Sequence, residues 1–165
     1  YAKTHNIGVF LQPGTGGGGT VVHLEKYFKR LYTIELDPTL YLQGKTLVQD
    51  SKKIICIEGD SGVMIKEILQ KVDEPVLFWL DAHYSGYGTA RGAVDTPIVQ
   101  ELLSIFDHKN KKHVIIIDDM REFNGTNDYP EINELKKIIK EKAPWCTFSQ
   151  DNDMLIIEPV VNDAE

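Results

Sequence analysis

Apolar residues along this chain follow two alternating spacings. Val76–Leu80 and Val114–Ile117 carry no polar residue at all, and Ile7–Leu11, Leu31–Leu36 and Ile54–Ile57 are nearly as apolar. Such runs suit strands of a parallel sheet covered on both faces. Between them, apolar residues recur at the spacing of one helical face. Thr20 is placed to cap a helix with Val21, Leu24, Phe28 and Leu31 on one side. A short helix is expected from Pro38 to about Val48, opened by Asp37. Ser61 starts the next, with Ile65, Ile68, Leu69 and Val72 in line. Asp95 or Thr96 caps a fourth, in which Pro97 suits the first turn and Ile98, Leu102 and Ile105 form the stripe. Ile132, Leu135 and Ile138 mark a fifth after Tyr129-Pro130. The chain closes with Trp145–Phe148 and Met154–Ile157, separated by the turn-rich Ser149-Gln150-Asp151-Asn152-Asp153, which reads as a β-hairpin.

About seven strands and five helices in alternation predict an α/β fold, a Rossmann-like doubly wound and mostly parallel sheet with a C-terminal antiparallel hairpin. The 165 residues are expected to form a single domain, because domains usually run to about 100–150 residues. In such sheets ligands bind beyond the carboxyl ends of the strands, near the point where strand order reverses. The residues just after each strand are therefore where chemistry is sought.

The first strand ends in Gly14-Thr15-Gly16-Gly17-Gly18-Gly19. Gly14, Gly16 and Gly19 fit the dinucleotide pattern GxGxxG, in the strand-to-helix setting that the pattern requires. Its glycines allow a sharp turn and close approach of a ligand, and the helix start offers free N–H groups. The second strand ends in Glu35-Leu36-Asp37, about twenty residues past the first glycine, where a carboxylate can accept both hydroxyls of a ribose. Glu35 is favoured, because Asp37 before Pro38 suits a helix cap. Asp60, after the third strand, can take an adenine amino group or cap the helix at Ser61. The fourth and fifth strands end in Asp81 and in Asp118-Asp119. Adjacent parallel strands would bring these three to one edge, where mutual repulsion raises their pKa values unless a cation intervenes. An all-oxygen set suits Mg²⁺, Mn²⁺ or Ca²⁺ better than zinc. The bland alternative is one helix cap and two solvated carboxylates. His83, two residues on, is either a general base or structural. The loop Tyr84–Asp95 is long enough for a lid, and its Arg91, with Arg121, could recognise an anionic acceptor or simply be solvated.

The net charge of −7 and the pI of about 5.2 argue against nucleic acid as a partner. No apolar run approaches the length of a membrane helix. Cys56 and Cys146 form no CxxC pair or zinc spacing and read as buried thiols. With no signal-peptide pattern at the start, the expected location is reducing and cytoplasmic. Tyr1 rather than Met opens the chain, which leaves room for a segment upstream.

Taken together, the runs PGTGGGGT, YTIELD, EGDS, FWLDAH and IIIDDM resemble class I S-adenosylmethionine-dependent methyltransferases over nearly the whole chain, from Ile7 to Glu158. Asp81, Asp118 and Asp119 stand where the metal-dependent O-methyltransferases place their cation ligands. This group includes the catechol type and the macrolide-sugar, antibiotic-tailoring type. The stretch DAHYSG followed by DTP looks closer to the tailoring enzymes. The resemblance implies S-adenosyl-L-methionine and a divalent cation, most simply Mg²⁺, as cofactors. Gly14, Thr15, Gly16 and Gly17 would cradle the methionine part, Glu35 the ribose, and Asp60 with Ser61 the adenine. Asp81 and His83 would be catalytic, the metal binding the hydroxyl of a small-molecule acceptor such as a sugar or polyol and His83 taking its proton.

Two departures stand out. Gln12 occupies the position, two before the first motif glycine, where the family commonly has an acidic residue that helps hold the cofactor's ammonium. Little precedes the first strand, whereas many relatives use an N-terminal helical segment to cover the acceptor or to dimerise, so a homodimer is left open. The competing readings are an NAD(P)-dependent oxidoreductase, which leaves the strand-end aspartates unexplained, a methyltransferase-fold binding module without catalysis, and a metal-dependent hydrolase, which leaves the glycine run idle.

Overall fold

The structure, a computed structural model, describes residues 1–16, 18–81 and 96–161. Within these, strands β1 (Val9–Pro13), β2 (Arg30–Glu35), β3 (Ile54–Glu58), β4 (Val76–Leu80), β5 (Val114–Ile117), β6 (Cys146–Asp151) and β7 (Met154–Pro159) form one sheet in the order β3-β2-β1-β4-β5-β7-β6. The pairs among β1 to β5 are parallel, and β7 runs antiparallel to both β5 and β6. The chain winds outward from β1 to β3, then crosses back to β4 beside β1. That reversal opens the crevice at the carboxyl ends of β1 and β4.

Alternate residues of each strand feed two cores, as a period of two requires. Val9, Leu11, Phe78, Leu80, Ile115 and Ile117 pack on one face against helices α3 (Ser61–Leu69), α4 (Ile98–Asp107) and α5 (Ile132–Lys142). Phe10, Leu31, Leu77, Val114 and Ile116 pack on the other against Val21 of α1 (Gly19–Leu24), Phe28, and Val48 at the end of α2 (Pro38–Leu47). Burial on both faces is why β4 and β5 contain no polar residue.

Two helix starts behave as their sequences imply. The Asp37 carboxylate accepts from Thr39 N at 2.8 Å and Leu40 N at 3.0 Å, capping α2. Asp60 caps α3 by accepting from Gly62 N at 2.8 Å. Asp37→Ala is expected to lower stability by about 1 kcal/mol in urea unfolding at neutral pH, because two N–H groups lose their acceptor to water.

The first helix departs from expectation. It ends at Leu24, passes into a 3₁₀ turn over Glu25–Tyr27, and has Gly18 rather than Thr20 at its N-cap, Thr20 being exposed within the helix. Phe28 is extended and stacks on Phe10, with ring centroids 5.2 Å apart, and Leu31 lies fully buried in β2. Two residues spaced as one helical face are instead drawn into the sheet-side core, which buries them more completely than a helix could. Three smaller shifts follow. Pro97 holds the N-cap position of α4, while Thr96 Oγ1 accepts from Ile98 N at 3.4 Å. In α5 Ile139, not Ile138, is the fully buried position. The hairpin strands run on to Asp151 and resume at Met154, leaving a two-residue turn in which Asn152 takes φ +52°. Both cysteines are half-buried rather than enclosed; burial raises each thiol pKa, that of Cys146 to about 11, so both stay protonated at neutral pH. No helix among the described residues is long and apolar enough to cross a membrane.

Candidate active site

Parallel register sets the geometry at the carboxyl edge. Leu80 lies opposite Ile117, so the next residues, Asp81 and Asp118, fall side by side. Asp118 N donates to Leu80 O at 3.4 Å, carrying the ladder one step past the strands. Asp119 follows in the left-handed region at φ +58°, ψ +46°, a conformation that aspartate tolerates better than most residues. The consequence is that carboxylate oxygens of Asp81, Asp118 and Asp119 lie within 4.8 Å of one another, with Asp81 exposed and the other two half-buried. This donor set fits a hard divalent cation: oxygen only, anionic, and close enough to share one ion.

Arg121 does not stand free to meet an acceptor. Its Nη2 lies 2.7 Å from Asp119 Oδ1, and its guanidinium also pairs with Asp153, whose Oδ1 accepts from Arg121 N at 3.0 Å. It offsets part of the negative charge gathered at this edge. His83, Arg91 and Gly17 lie outside the described residues, as does the expected loop Tyr84–Asp95.

The glycine turn sits beside β2. Gly14 N donates to Ile34 O at 2.7 Å, continuing the β1–β2 ladder into the turn. Gly16, at φ +51°, has nothing within 4 Å of where a Cβ would stand among the described residues, which leave the turn open on that side. Gly18, at φ +77°, has the tip of Leu47 from α2 2.9 Å from such a Cβ, so a side chain there would have to displace Leu47 as well as adopt a left-handed backbone. Thr15 is buried, its Oγ1 2.7 Å from Thr33 Oγ1, and so pins the turn to β2.

Glu35 ties the pieces together. It is buried, and its carboxylate accepts from Gly16 N at 3.3 Å and from Asp37 N at 3.0 Å, while its carbonyl accepts from Gly59 N at 2.9 Å. The glycine turn and the start of α2 therefore converge on one carboxylate, and the end of β3 is tied to the same residue through its backbone carbonyl. Asp60 and Ser61 follow at once. The Ser61 hydroxyl is buried and donates to Glu101 Oε1 at 2.5 Å, inside the protein.

Gln12 carries the clearest sign of something to be bound. Its Nε2 donates to Gly14 O at 3.0 Å, yet among the described residues its buried Oε1 has no hydrogen-bond partner. A buried acceptor left without a donor costs about 1–3 kcal/mol. A cationic N–H group of a ligand in the turn would satisfy it. An open glycine turn, a buried carboxylate behind it and an orphaned carbonyl fit an aminoacyl nucleoside.

Sequence spacing did not single out Tyr129. It is buried and hydrogen-bonded to Thr96. Burial, together with the negative charges of Glu122, Asp119 and Asp81, holds its phenol far above the ordinary tyrosine range. Tyr129 thus walls the acidic edge from the side of α5. A tyrosine preceding Pro130 reads as a helix boundary, and nothing in the linear spacing ties it to Asp81.

No family model matches the chain, and no curated protein does. Solved structures do. The MycE methyltransferase from the mycinamycin biosynthetic pathway, in complex with Mg, SAH and mycinamycin VI, superposes with a TM-score of 0.64 at 17% identity, over 94% of this chain and 45% of that one. SAH-bound methyltransferase PaMTH1 from Podospora anserina gives 0.62 at 14% identity, over 96% and 75%. An rRNA methylase from Streptococcus thermophilus gives 0.57 at 13% identity, over 96% and 95%. At these identities the likeness is one of fold, and the fold is that of the class I methyltransferases.

Proposed function

We propose that the chain is an S-adenosylmethionine-dependent methyltransferase, and more narrowly a divalent-cation-assisted O-methyltransferase of a small molecule such as a sugar or polyol. The observation that carries this reading is the convergence of Asp81, Asp118 and Asp119 at the carboxyl edge of β4 and β5, beside the glycine turn held by Glu35. A dinucleotide oxidoreductase has no use for three clustered carboxylates there. MycE, bound to Mg, SAH and a macrolide, supports the combination. An RNA acceptor, which the rRNA methylase neighbour brings to mind, is disfavoured by a net charge of −7 and an acidic site edge.

In this reading Gly14, Thr15, Gly16 and Gly17 line the methionine part of the cofactor, and Gln12 Oε1 takes the ammonium in place of the family's carboxylate. Glu35 holds the ribose, and Asp60 with Ser61 lines the adenine. Asp81, Asp118 and Asp119 hold the cation, which when bound lowers the pKa of an acceptor hydroxyl. His83 takes the hydroxyl proton. Tyr129 and Thr96 keep water from one side of the carboxylates. The residues contribute mainly orientation and electrostatics, which is what an in-line displacement at carbon asks of a protein.

Calorimetric titration with S-adenosylhomocysteine, with and without Mg²⁺ and with NAD as a control, tests the reading. Micromolar binding of S-adenosylhomocysteine and none of NAD is the expected result. Binding of NAD alone would return the oxidoreductase, and binding of neither would favour a module without catalysis.

A further inference from the structure

Glu101 is the one acidic residue buried in the helix layer to a relative exposure of 1% among the described residues, and the proposed chemistry makes no use of it. It lies in the first turn of α4, where its amide donates to Pro97 O at 2.9 Å. Its side chain crosses to α3 and accepts from Ser61 Oγ at 2.5 Å. Gly62, the next residue, has the side-chain tip of Gln100 from α4 2.7 Å and Asp60 Oδ1 3.1 Å from where a Cβ would stand, so side chains from both helix starts meet at this point. Asp60, the cap of α3, is the charged group that acts on Glu101 among the described residues, and it acts by repulsion. Burial first, then Asp60, lift the Glu101 carboxyl to about 7, against the pull of the Ser61 hydrogen bond.

We infer that Glu101 is a positioning residue for the cofactor: through Ser61 it fixes the turn that carries Asp60, and that turn loosens when Glu101 becomes charged. The inference rests on the cofactor reading above. A neutral carboxyl can stay buried at the contact between α3 and α4. An ionised one places a second negative charge beside Asp60 in a poorly solvated pocket, and the relief is for the helix starts to part. Asp60 and Ser61 then move relative to Glu35, although Glu101 touches no ligand.

The test is the affinity for S-adenosylhomocysteine from pH 6 to pH 8.5 in the wild type and in Glu101→Gln, which keeps an acceptor for Ser61 and cannot ionise. The wild-type Kd is expected to rise about tenfold across that range, and that of the variant to stay level near the wild-type value at pH 6. In ligand-free protein, the amide resonances of Asp60, Ser61 and Gly62 should titrate with a midpoint near 7 in the wild type and not in Glu101→Gln. Binding at pH 6 with parallel pH profiles for the two proteins overturns the inference alone. No binding by the wild type at any pH overturns the cofactor reading and the inference with it.

Discussion

Asp118→Asn combined with Asp119→Asn is expected to reduce methyl transfer by about 10³-fold while S-adenosylhomocysteine still binds. A bound cation contributes several kcal/mol of charge stabilisation, and each 1.36 kcal/mol is a factor of ten. Removing two of three anionic donors leaves Asp81, which is exposed and too weak a site alone to hold Mg²⁺ against its hydration. Asparagine is the better replacement at Asp119, because the left-handed backbone there would strain alanine and confuse loss of metal with loss of structure. Arg121 keeps Asp153 as a partner, so the variant should not strand a charge. Cofactor binding is expected to be spared because the described part of the glycine turn and Glu35 lie at the ends of β1 and β2, where the Glu35 carboxylate accepts from Gly16 N and Asp37 N. Wild-type turnover in the double variant, insensitive to chelator, would refute the metal role. Loss of S-adenosylhomocysteine binding along with activity would mean that the carboxylates serve the cofactor.

The parts of this molecule that could be read from sequence are those where one residue's position fixes its neighbours. The unbroken apolar runs of β4 and β5 declared a parallel sheet, and a strand-end aspartate on each could only meet the other once those strands were adjacent. Asp37 and Asp60 were readable as caps because a cap acts within three residues of itself. What failed was local periodicity asked to decide a tertiary question. Phe28 and Leu31 continue the spacing of α1, but the need to enter the sheet overrode it. Glu101 and Tyr129 were opaque for the same reason: each matters through a partner 30 or more residues away. Gln12 was legible as a departure from the family pattern, but its unpartnered buried oxygen was not. Arg121 was read as able to meet an acceptor or as solvated, since nothing in sequence brings the hairpin turn with Asp153 beside it.

Lowering the pH from 6.5 to 4.5 is expected to cost the wild type about 2 kcal/mol more stability than it costs His113→Asn. His113 is buried at the far end of the sheet, just before β5, where its Nδ1 accepts from Val76 N at 3.0 Å and its Nε2 lies 2.8 Å from His108 Nδ1. With Nδ1 committed as an acceptor, the ring's single proton sits on Nε2 and donates to His108. A second proton would set an N–H group against the Val76 N–H. Burial foremost, and then the charges of His108 and Lys111, push the His113 pKa down to about 3. The unfolded chain takes up its proton near 6.5. Between those values the unfolded state binds a proton that the folded state refuses, so stability falls as the pH drops, by about 1.4 kcal/mol per unit, and is unaffected above pH 7. Asparagine presents an oxygen where Nδ1 was and has nothing to titrate. It forgoes the edge-on ring contact with Phe78, centroids 5.4 Å apart, and is therefore weaker at neutral pH. Glu101 titrates in both proteins and cancels in their difference. Urea unfolding at pH 7.5, 6.5, 5.5 and 4.5 decides the matter: stabilities that converge as the pH falls identify His113 as the acid-labile joint between α4 and the sheet, and parallel curves would show that His113 takes up its proton at the same pH in the folded and unfolded chain.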